Sequence, residues 1–530
     1  MKNLTKSNLK TDSKSKPISS SIKETKKNSK ETKDISKSVN ENILDFKKPM
    51  GLKEEFKGFS KQNFIKIDHG SIYDSYDLKA RLGKGSFGEV WKAEEKISKN
   101  QVAVKIIPKK NLKNDKEILN QIKIEYDLLK KMDHPNIMRI YGAFENQFNI
   151  YIVCELLSGD TILSKNQNKV LNEKEVAFLF SQILKALAYC HERKIVHRDI
   201  KPENCVYDDN TKTNLKLIDF GLSAVIHDDK GFKEILGSPL YMAPEIISNK
   251  LYNEKIDIWS LGIMMYIFLA GRYPYTATTR EELNPQILSF NLLSSQLFSP
   301  SWSHLSDLCK DFLSRMLILD PDKRASAIQL LNHDYLTKEY PIKPISVETS
   351  KMIFNSFNEY YHLSSMQKMI RNLLVTHSTM NDNIKELNQI FMKIDTEKNG
   401  SISFKEFESV SQPILEMLNI SKPQLLELFK QMDTDKSGCI DYSEFLTAML
   451  NNYFLQDRLR LESAFNFLDR DKSGFITTED FKQLFNGHYG AMQPMIEEMM
   501  KECDTQKDNK ISLEEFITFT QKVLIKNQSN

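Results

Sequence analysis

One twelve-residue pattern, beginning at Asp395, Asp433, Asp469 and Asp504, restricts the fold of this chain more than any other feature. Each copy opens with Asp, places an oxygen-bearing side chain at its third and fifth positions, and ends in Asp or Glu at its twelfth. The sixth position is glycine in three copies and Asn509 in the fourth. Alternate residues can aim at one point only in a tight loop. Such a loop needs a left-handed residue at its turn, which glycine adopts freely and asparagine tolerates. About seven oxygens converging on one point suit a hard cation such as calcium. The flanks agree. Position eight is isoleucine in every copy (Ile402, Ile440, Ile476, Ile511), suited to a short β contact between paired loops, and position thirteen is always phenylalanine (Phe407, Phe445, Phe481, Phe516). Apolar residues precede the loops at helical spacing, as in Leu387, Ile390, Phe391 and Ile394, or Leu461, Ala464, Phe465 and Leu468. Residues 384–525 are therefore expected to form an all-α domain of two lobes, each a pair of helix–loop–helix units.

The expected calcium ligands follow from the spacing. They are Asp395, Glu397, Asn399, Ser401 and Glu406 in loop 395–406, and Asp433, Asp435, Ser437, Cys439 and Glu444 in loop 433–444. In loop 469–480 they are Asp469, Asp471, Ser473, Phe475 and Asp480, and in loop 504–515 they are Asp504, Gln506, Asp508, Lys510 and Glu515. The seventh position offers only its carbonyl, so Cys439, Phe475 and Lys510 do no harm there. The second loop is the best formed. Glu397 gives the first a longer arm than usual. Asp480 is one methylene short for bidentate closure, so the third is expected to bind more weakly or less selectively. The fourth is expected to bind despite Gln506 and Asn509.

A second group of motifs occupies residues 76–336. Tyr76-Asp77-Leu78 opens a strand that runs into Leu82-Gly83-Lys84-Gly85-Ser86-Phe87-Gly88, and Glu89-Val90-Trp91-Lys92-Ala93 continues as another. The same glycine spacing serves dinucleotide folds, but there it opens a helix. Here a strand follows, so the glycines make a hairpin whose bare backbone can approach phosphates. Val102–Ile107 is an apolar strand with Lys105 at its centre, and a buried ammonium needs an anionic partner. Glu125 is the first candidate and Glu117 the alternative. Then come His197-Arg198-Asp199-Ile200-Lys201-Pro202-Glu203-Asn204, Asp219-Phe220-Gly221, the segment 237–245 ending in Ala243-Pro244-Glu245, and Asp320–Arg324.

These motifs resemble those of protein kinases, and Lys201, two residues past Asp199, resembles the serine/threonine type. The resemblance implies an α+β bilobal fold. It implies that Asp199 orients the acceptor hydroxyl and takes its proton, that Lys201 neutralises the transferred phosphoryl, and that Asn204 and Asp219 hold magnesium. ATP would lie beneath Leu82, Gly83, Lys84, Gly85, Ser86, Phe87, Gly88 and Val90 and against Ala103. Lys105 and Glu125 would serve its phosphates, and the backbone near Glu155 and Leu157 its adenine, with Cys154 at the back of the pocket. Glu245 is expected to pair with Arg324, and Asp257 to brace the catalytic loop. Gly159-Asp160-Thr161 departs from the Gly-Gly-Glu of many basophilic relatives, so a preference for basic substrates would have to rest on Asp160 or Glu203. Arg198 often calls for a loop phosphate in such proteins. Here Asp228 and Asp229 already lie in segment 222–236, which holds Ser223 but no Thr or Tyr, so little dependence on one is expected.

Between the two regions, residues 337–383 form a junction. Pro341 and Pro344 end the first region. Met366, Ile370, Leu373 and Leu374 then make an amphipathic helix with Lys368 and Arg371 between them and further methionines at 352 and 369. A plain packing helix has this pattern, and so does a helix gripped in the groove of a calcium-loaded lobe. Residues 76–525, about 85% of the sequence, together resemble the calcium-dependent protein kinases of plants, ciliates and apicomplexan parasites. The resemblance implies an enzyme for protein substrates with Mg2+·ATP and Ca2+ as cofactors. It also implies an intramolecular junction–EF-hand contact through which calcium relieves autoinhibition. A calcium-binding scaffold with an inactive kinase fold, or a constitutive kinase with buffering EF-hands, would read similarly. ATP turnover excludes the first and calcium dependence the second.

Composition matters chiefly at the N-terminus. Residues 1–50 hold 13 Lys against 6 Asp and Glu, a local +7 in a chain of net +3. Residues 1–70 are expected to be a basic, largely disordered tail, because so few apolar groups cannot offset the entropy of ordering. The tail is expected to be a solvated segment, with weak attraction to an anionic membrane surface as the alternative. Met1-Lys2-Asn3 has no apolar core after it and no glycine at position 2, so neither a secretory leader nor myristoylation is expected here. No apolar run approaches 18 residues. Six scattered cysteines without paired spacing point to a reducing compartment. A cytoplasmic monomer, peripheral to a membrane at most and without a nucleic-acid partner, is the expectation.

Overall fold

The structure is a computed structural model. It describes residues 60–84, 88–111, 116–162, 170–227, 231–290, 302–339, 345–377, 382–418, 420–450, 455–485 and 488–527. Residues 1–59, Gly85, Ser86, Phe87, Asp228 and Asp229 lie outside the described residues.

The small lobe is a six-stranded sheet in the order Ile67–Asp68, Ile140–Glu145, Asn149–Glu155, Gln101–Pro108, Glu89–Glu95, Tyr76–Lys84. Successive side chains of a strand point to opposite faces. Val102 and Val104 accordingly pack with Ile72, Tyr141, Tyr151 and Val153 on one face. Ala103 and Ile107 join the core that runs into the large lobe. Lys105 shares their face, between Val90 and Ile152 in the ladder. A Cβ on Gly88 would fall 1.9 Å from Ile106 O, so the hairpin can close onto the central strand only with glycine there.

Two helices organise the large lobe. Glu173–Glu192 starts on a capping box, with Asn172 accepting from Glu175 N. Lys255–Ala270 is apolar almost all round and ends on Gly271 at φ +67°. Such a helix must be buried on every side, and Ile258, Trp259, Leu261 and Met264 have no exposed surface.

Beyond the kinase-like lobes the chain is helical. Val347–Tyr361 and Ser365–His377 precede four helix–loop–helix units, the first flanked by Asp382–Ile394 and Phe404–Leu418 and the last by Tyr489–Cys503 and Leu513–Asn527. The loops pair through the isoleucines, Ile402 opposite Ile440 and Ile476 opposite Ile511. The four phenylalanines of position thirteen lie in one apolar core with Met366, Ile370, Leu373 and Leu374 of the junction.

One expectation needs correction. Residues 60–70 are folded, with a helix at Lys61–Phe64 and a strand at Ile67–Asp68. Averaged over 1–70 the composition is polar, but Phe64 and Ile65 within this stretch are fully buried. The basic residues of the junction helix pack against neighbouring elements. Arg371 is 3% exposed and donates to Leu450 O at 3.0 Å, while Lys368 donates to Gln431 Oε1 at 3.0 Å. Among the described residues no helix is long and apolar enough to cross a membrane.

Candidate active site and cation-binding loops

The cleft between the lobes gathers the expected polar residues. Lys105 Nζ lies 2.6 and 2.7 Å from the carboxylate oxygens of Glu125 in helix Lys116–Lys131. Burial pulls the Lys105 ammonium down, but Glu125 and Asp219 outweigh it and hold the group above its ordinary value. Asp219 sits in the left-handed region at φ 62°, ψ 70°, which turns the chain sharply before Phe220. Phe220 is fully buried, its ring 4.7 Å from that of His197. Leu82 is half exposed at the cleft mouth and Ala103 is buried at its floor. The Glu155 carboxylate accepts Arg139 N–H at 2.7 Å and pairs with buried Lys216 at 3.0 Å. With its carboxylate so engaged, Glu155 has its backbone left to meet a purine. Cys154 is 5% exposed and its thiol, driven by burial, rises to about 12, so it is an inert wall.

Asp199 is held by four donors. Oδ2 accepts from Lys201 Nζ at 2.5 Å and Asn204 Nδ2 at 3.1 Å, while Oδ1 accepts from Ser238 Oγ at 2.7 Å and Ser238 N at 3.1 Å. Asn204 Nδ2 also donates to Asp199 O at 2.9 Å, which leaves its amide oxygen for a hard cation. Asp257 accepts the backbone N–H groups of His197 and Arg198, both at 2.9 Å, and His191 Nε2 at 3.0 Å, so it braces this loop. Glu245 and Arg324 form a buried bidentate pair at 2.6 and 3.0 Å.

The sequence reading passed over two residues here. Ser238, seven before Glu245, bonds both Asp199 and Lys201, the latter at 3.1 Å. Glu234 meets Arg198 Nη1 at 3.5 Å, and the same guanidinium lies 4.9 Å over the Phe232 ring. Within the described residues Glu234 thus fills the part expected of Asp228 and Asp229.

All four loops share one hydrogen-bond frame. The first carboxylate accepts the N–H groups of positions five and six: Asp395 from Asn399 and Gly400, Asp433 from Ser437 and Gly438, Asp469 from Ser473 and Gly474, Asp504 from Asp508 and Asn509. The last carboxylate accepts from positions three and nine, as Glu515 does from Gln506 N at 3.0 Å and Ser512 N at 2.9 Å. Asn509 takes φ 61°, as its place required. A second left-handed position was legible but unread. Position four is lysine in every loop, and Lys398, Lys436, Lys472 and Lys507 all have φ near 60°.

Three carboxylates converge within 4.8 Å in the second loop (Asp433, Asp435, Glu444) and in the third (Asp469, Asp471, Asp480). Asp480, despite its short arm, accepts from Asp471 N at 3.2 Å and Thr477 N at 2.8 Å, the same frame as the glutamates. Ser437 and Ser473 reach the carbonyls of Cys439 and Phe475 at 3.0 and 3.1 Å, so these ligand positions adjoin. Ser401 and Asn399 meet at 3.0 Å in the first loop. In the first loop Glu397 is exposed, and its N–H donates to Glu406 Oε1 at 2.8 Å. In the fourth loop Gln506 and Lys510 are exposed.

The protein kinase domain model matches residues 76–336, and the EF-hand domain pair model matches residues 367–450 and 458–521. Over 454 residues, 84% of this chain and 82% of the relative, the sequence is 35% identical to calcium-dependent protein kinase 29 of Arabidopsis thaliana. It is 32% identical to calcium-dependent protein kinase 3 of Plasmodium berghei, over 87% of this chain and 83% of that one. This chain belongs to the calcium-dependent protein kinases. It is a calcium-regulated, ATP-dependent serine/threonine protein kinase that uses Mg2+ with ATP and binds Ca2+ through EF-hands.

In this calcium-dependent protein kinase the EF-hand region rests on the side of the kinase domain away from the cleft. Ser443, beside the last ligand of the second loop, donates from N and Oγ to Asp133 at 2.7 and 2.8 Å, and Arg139 Nη2 reaches its Oγ at 3.2 Å. Arg193 donates to Asn399 O at 3.3 Å while stacked on Tyr189. Lys398 donates to Leu331 O at 2.7 Å, and Lys385 pairs with Asp209. Gly400 is doubly constrained: it has φ +78°, and a Cβ there would strike the Tyr189 ring at 2.4 Å.

Proposed function

We propose that this arrangement is the calcium-loaded, working form of the kinase. The observation that carries the reading is the pairing of a fully assembled cleft with a junction withdrawn into the EF-hand core. Met366, Met369 and Ile370 have no exposed surface there. An amphipathic helix with that much apolar surface needs a partner in every state. Without calcium the EF-hand core opens, and the junction covers the substrate cleft instead. Calcium therefore acts by its differential affinity for two placements of residues 337–383.

In the cleft, Asp199 takes the proton of the acceptor hydroxyl, and Ser238 yields to the substrate one of the positions it holds around that carboxylate. Lys201 moves with the transferred phosphoryl and neutralises it. Asn204 and Asp219 would hold magnesium, which would supply positive charge against that of the phosphates, and Lys105, fixed by Glu125, meets the phosphates. Leu82 and Val90 cover the nucleotide, whose purine meets the backbone at Glu155 and Leu157. Substrates carry a basic residue near the acceptor: Glu203 Oε2 is buried without a hydrogen-bond partner, whereas Asp160 is exposed beside Lys212 at 3.8 Å. A buried carboxylate oxygen of that kind calls for a cation.

The kinase works as a cytoplasmic monomer, with the basic tail supplying at most a weak membrane contact. The test is phosphate transfer to a serine peptide across a calcium titration, beside Asp199→Asn. Calcium-activated transfer that the variant loses is expected. Equal transfer in chelator and in calcium would remove the switch, and calcium binding without transfer to any peptide would leave a scaffold. Sedimentation of the full chain and of a chain starting at Ser60 with anionic vesicles tests the tail. Equal binding by both would end the membrane reading.

A further inference from the structure

Residues 60–68 precede the kinase domain and touch all three parts of the molecule. Phe64 has no exposed surface and belongs to the EF-hand core, with its ring 6.4 Å from that of Phe485. Its neighbour Ile65, equally buried, belongs to the kinase core. Two adjacent side chains thus enter two different cores. Phe64 O accepts from His377 Nε2 at 3.2 Å, at the end of the junction helix. Lys61 is 5% exposed and donates to Met132 O at 2.6 Å, where the helix Lys116–Lys131 ends, with Asp133 at 4.0 Å. Burial brings its ammonium down to about 8, the cost of placing a lysine where it can meet that carbonyl. Ile67 and Asp68 pair in parallel with Ala143 and Phe144 and extend the small-lobe sheet. Asp68 also lies 4.0 Å from Arg470, the second residue of the third calcium loop. A cavity of about 510 Å3 behind the segment is walled by Lys66 and Asp68 of the segment, Phe144 of the small lobe, His377 of the junction and Phe467 of the third EF-hand.

We propose that residues 60–68 are a strap that fastens the EF-hand region and junction helix to the small lobe. Calcium control of this kinase then depends on chain that lies outside both the kinase domain and the EF-hands. The chemistry favours a strap over a passive leader. A leader would need only the sheet pairing of Ile67 and Asp68. Phe64 gains its burial only when the EF-hand core is docked on the small lobe, so its apolar surface acts as a latch on that placement. Lys61 orients the latch by holding the strap to the end of the helix that carries Glu125. Because docking and calcium binding are linked, loosening the latch raises the calcium needed for activity without touching the cleft. The calcium readout rests on the reading given under Proposed function; the exchange readout below does not.

The full chain would be compared with Phe64→Ala, Phe64→Leu and Lys61→Ala. Two quantities would be read: the calcium midpoint for peptide phosphorylation, and amide hydrogen exchange of helix Ser365–His377 at saturating calcium. Phe64→Ala is expected to raise the midpoint about fivefold, spread over four coupled ions, and to speed exchange in the helix. Phe64→Leu should fall near the parent. An unchanged midpoint together with unchanged exchange in Phe64→Ala would overturn the strap. Should Phe64→Ala fail to fold, Lys61→Ala decides, with faster exchange supporting the strap and parental exchange overturning it. Should the parent prove calcium-independent, the switch fails, and the exchange comparison still tests the strap by itself.

Discussion

Ser443→Ala isolates the link between the second calcium loop and the kinase domain. Ser443 and Asp133 are 2% and 7% exposed, so water cannot replace what the substitution removes. The Oγ donates to Asp133 Oδ1 at 2.8 Å and receives Arg139 Nη2 at 3.2 Å. The backbone N–H to Oδ2 at 2.7 Å survives. Of the two bonds lost, the shorter one, to the buried Asp133 carboxylate, alone costs about 1.5–3 kcal/mol. At about 1.4 kcal/mol per tenfold, the docking equilibrium falls by about 10- to 150-fold. Spread across four linked ions, that is the fourth root, a rise of about 2- to 3.5-fold in the calcium midpoint. The assay is peptide phosphorylation against buffered free calcium, with the rate at saturation as the control for the cleft. Ser443 adjoins Glu444, so the substitution could instead disturb the loop itself. A double-mutant cycle with Asp133→Ala separates the two. If Ser443→Ala shifts the midpoint equally in both backgrounds, the effect belongs to the loop, and the coupling argued here is wrong.

Three further outcomes can be checked. Glu234→Ala should lower kcat by less than about fivefold, because an exposed ion pair contributes roughly 1 kcal/mol or less, and phosphatase treatment of the parent should leave activity intact. Loss of activity on phosphatase treatment would show that Arg198 depends on a phosphate instead. Glu203→Gln should reduce kcat/KM about tenfold or more on an arginine-bearing peptide and little on its alanine counterpart, as expected for a charge-assisted hydrogen bond; equal losses on both would remove Glu203 from substrate reading. Asp480→Glu should raise the preference of the third loop for calcium over magnesium, because the present frame closes on a short arm and small cages favour the smaller ion. Calorimetry of both cations would show it, and an unchanged ratio would refute the geometric reasoning.

The parts legible in the sequence are those in which chemistry fixes residue type at fixed spacing. The Lys105–Glu125 pair, Asp199 with its neighbours, the Glu245–Arg324 pair and the four loop frames all follow from groups that can do one thing at one place. Ser238 was missed because a serine in a turn carries no signal until its distance to Asp199 is known. The burial of Arg371 was not legible, because helical periodicity separates apolar from polar faces, and a guanidinium satisfied by Leu450 O can lie on the buried one. The segment at 60–68 was lost in the average of a lysine-rich tail, since its two apolar anchors enter cores built by residues distant in the sequence.

That last failure bears on how the molecule switches. The two large cores are separate apolar clusters, one in the kinase domain and one uniting the EF-hands with the junction. What joins them is largely polar: Ser443 with Asp133, Arg193 with Asn399, Lys398 with Leu331 O, and Ser463 with Glu95 Oε1 at 2.6 Å. Polar partners of this kind exchange protein for water on separation, so each contributes little net affinity while fixing the register. An interface built that way parts without exposing a large apolar surface, which a calcium switch requires. Phe64 differs from these contacts, an apolar side chain reaching across from the small-lobe side. Its burial adds an affinity that the polar contacts do not supply, and a single side chain is small enough for the loss of calcium to undo. A bulkier apolar bridge would lock the domain in place; none would leave docking too weak to hold the junction away from the cleft.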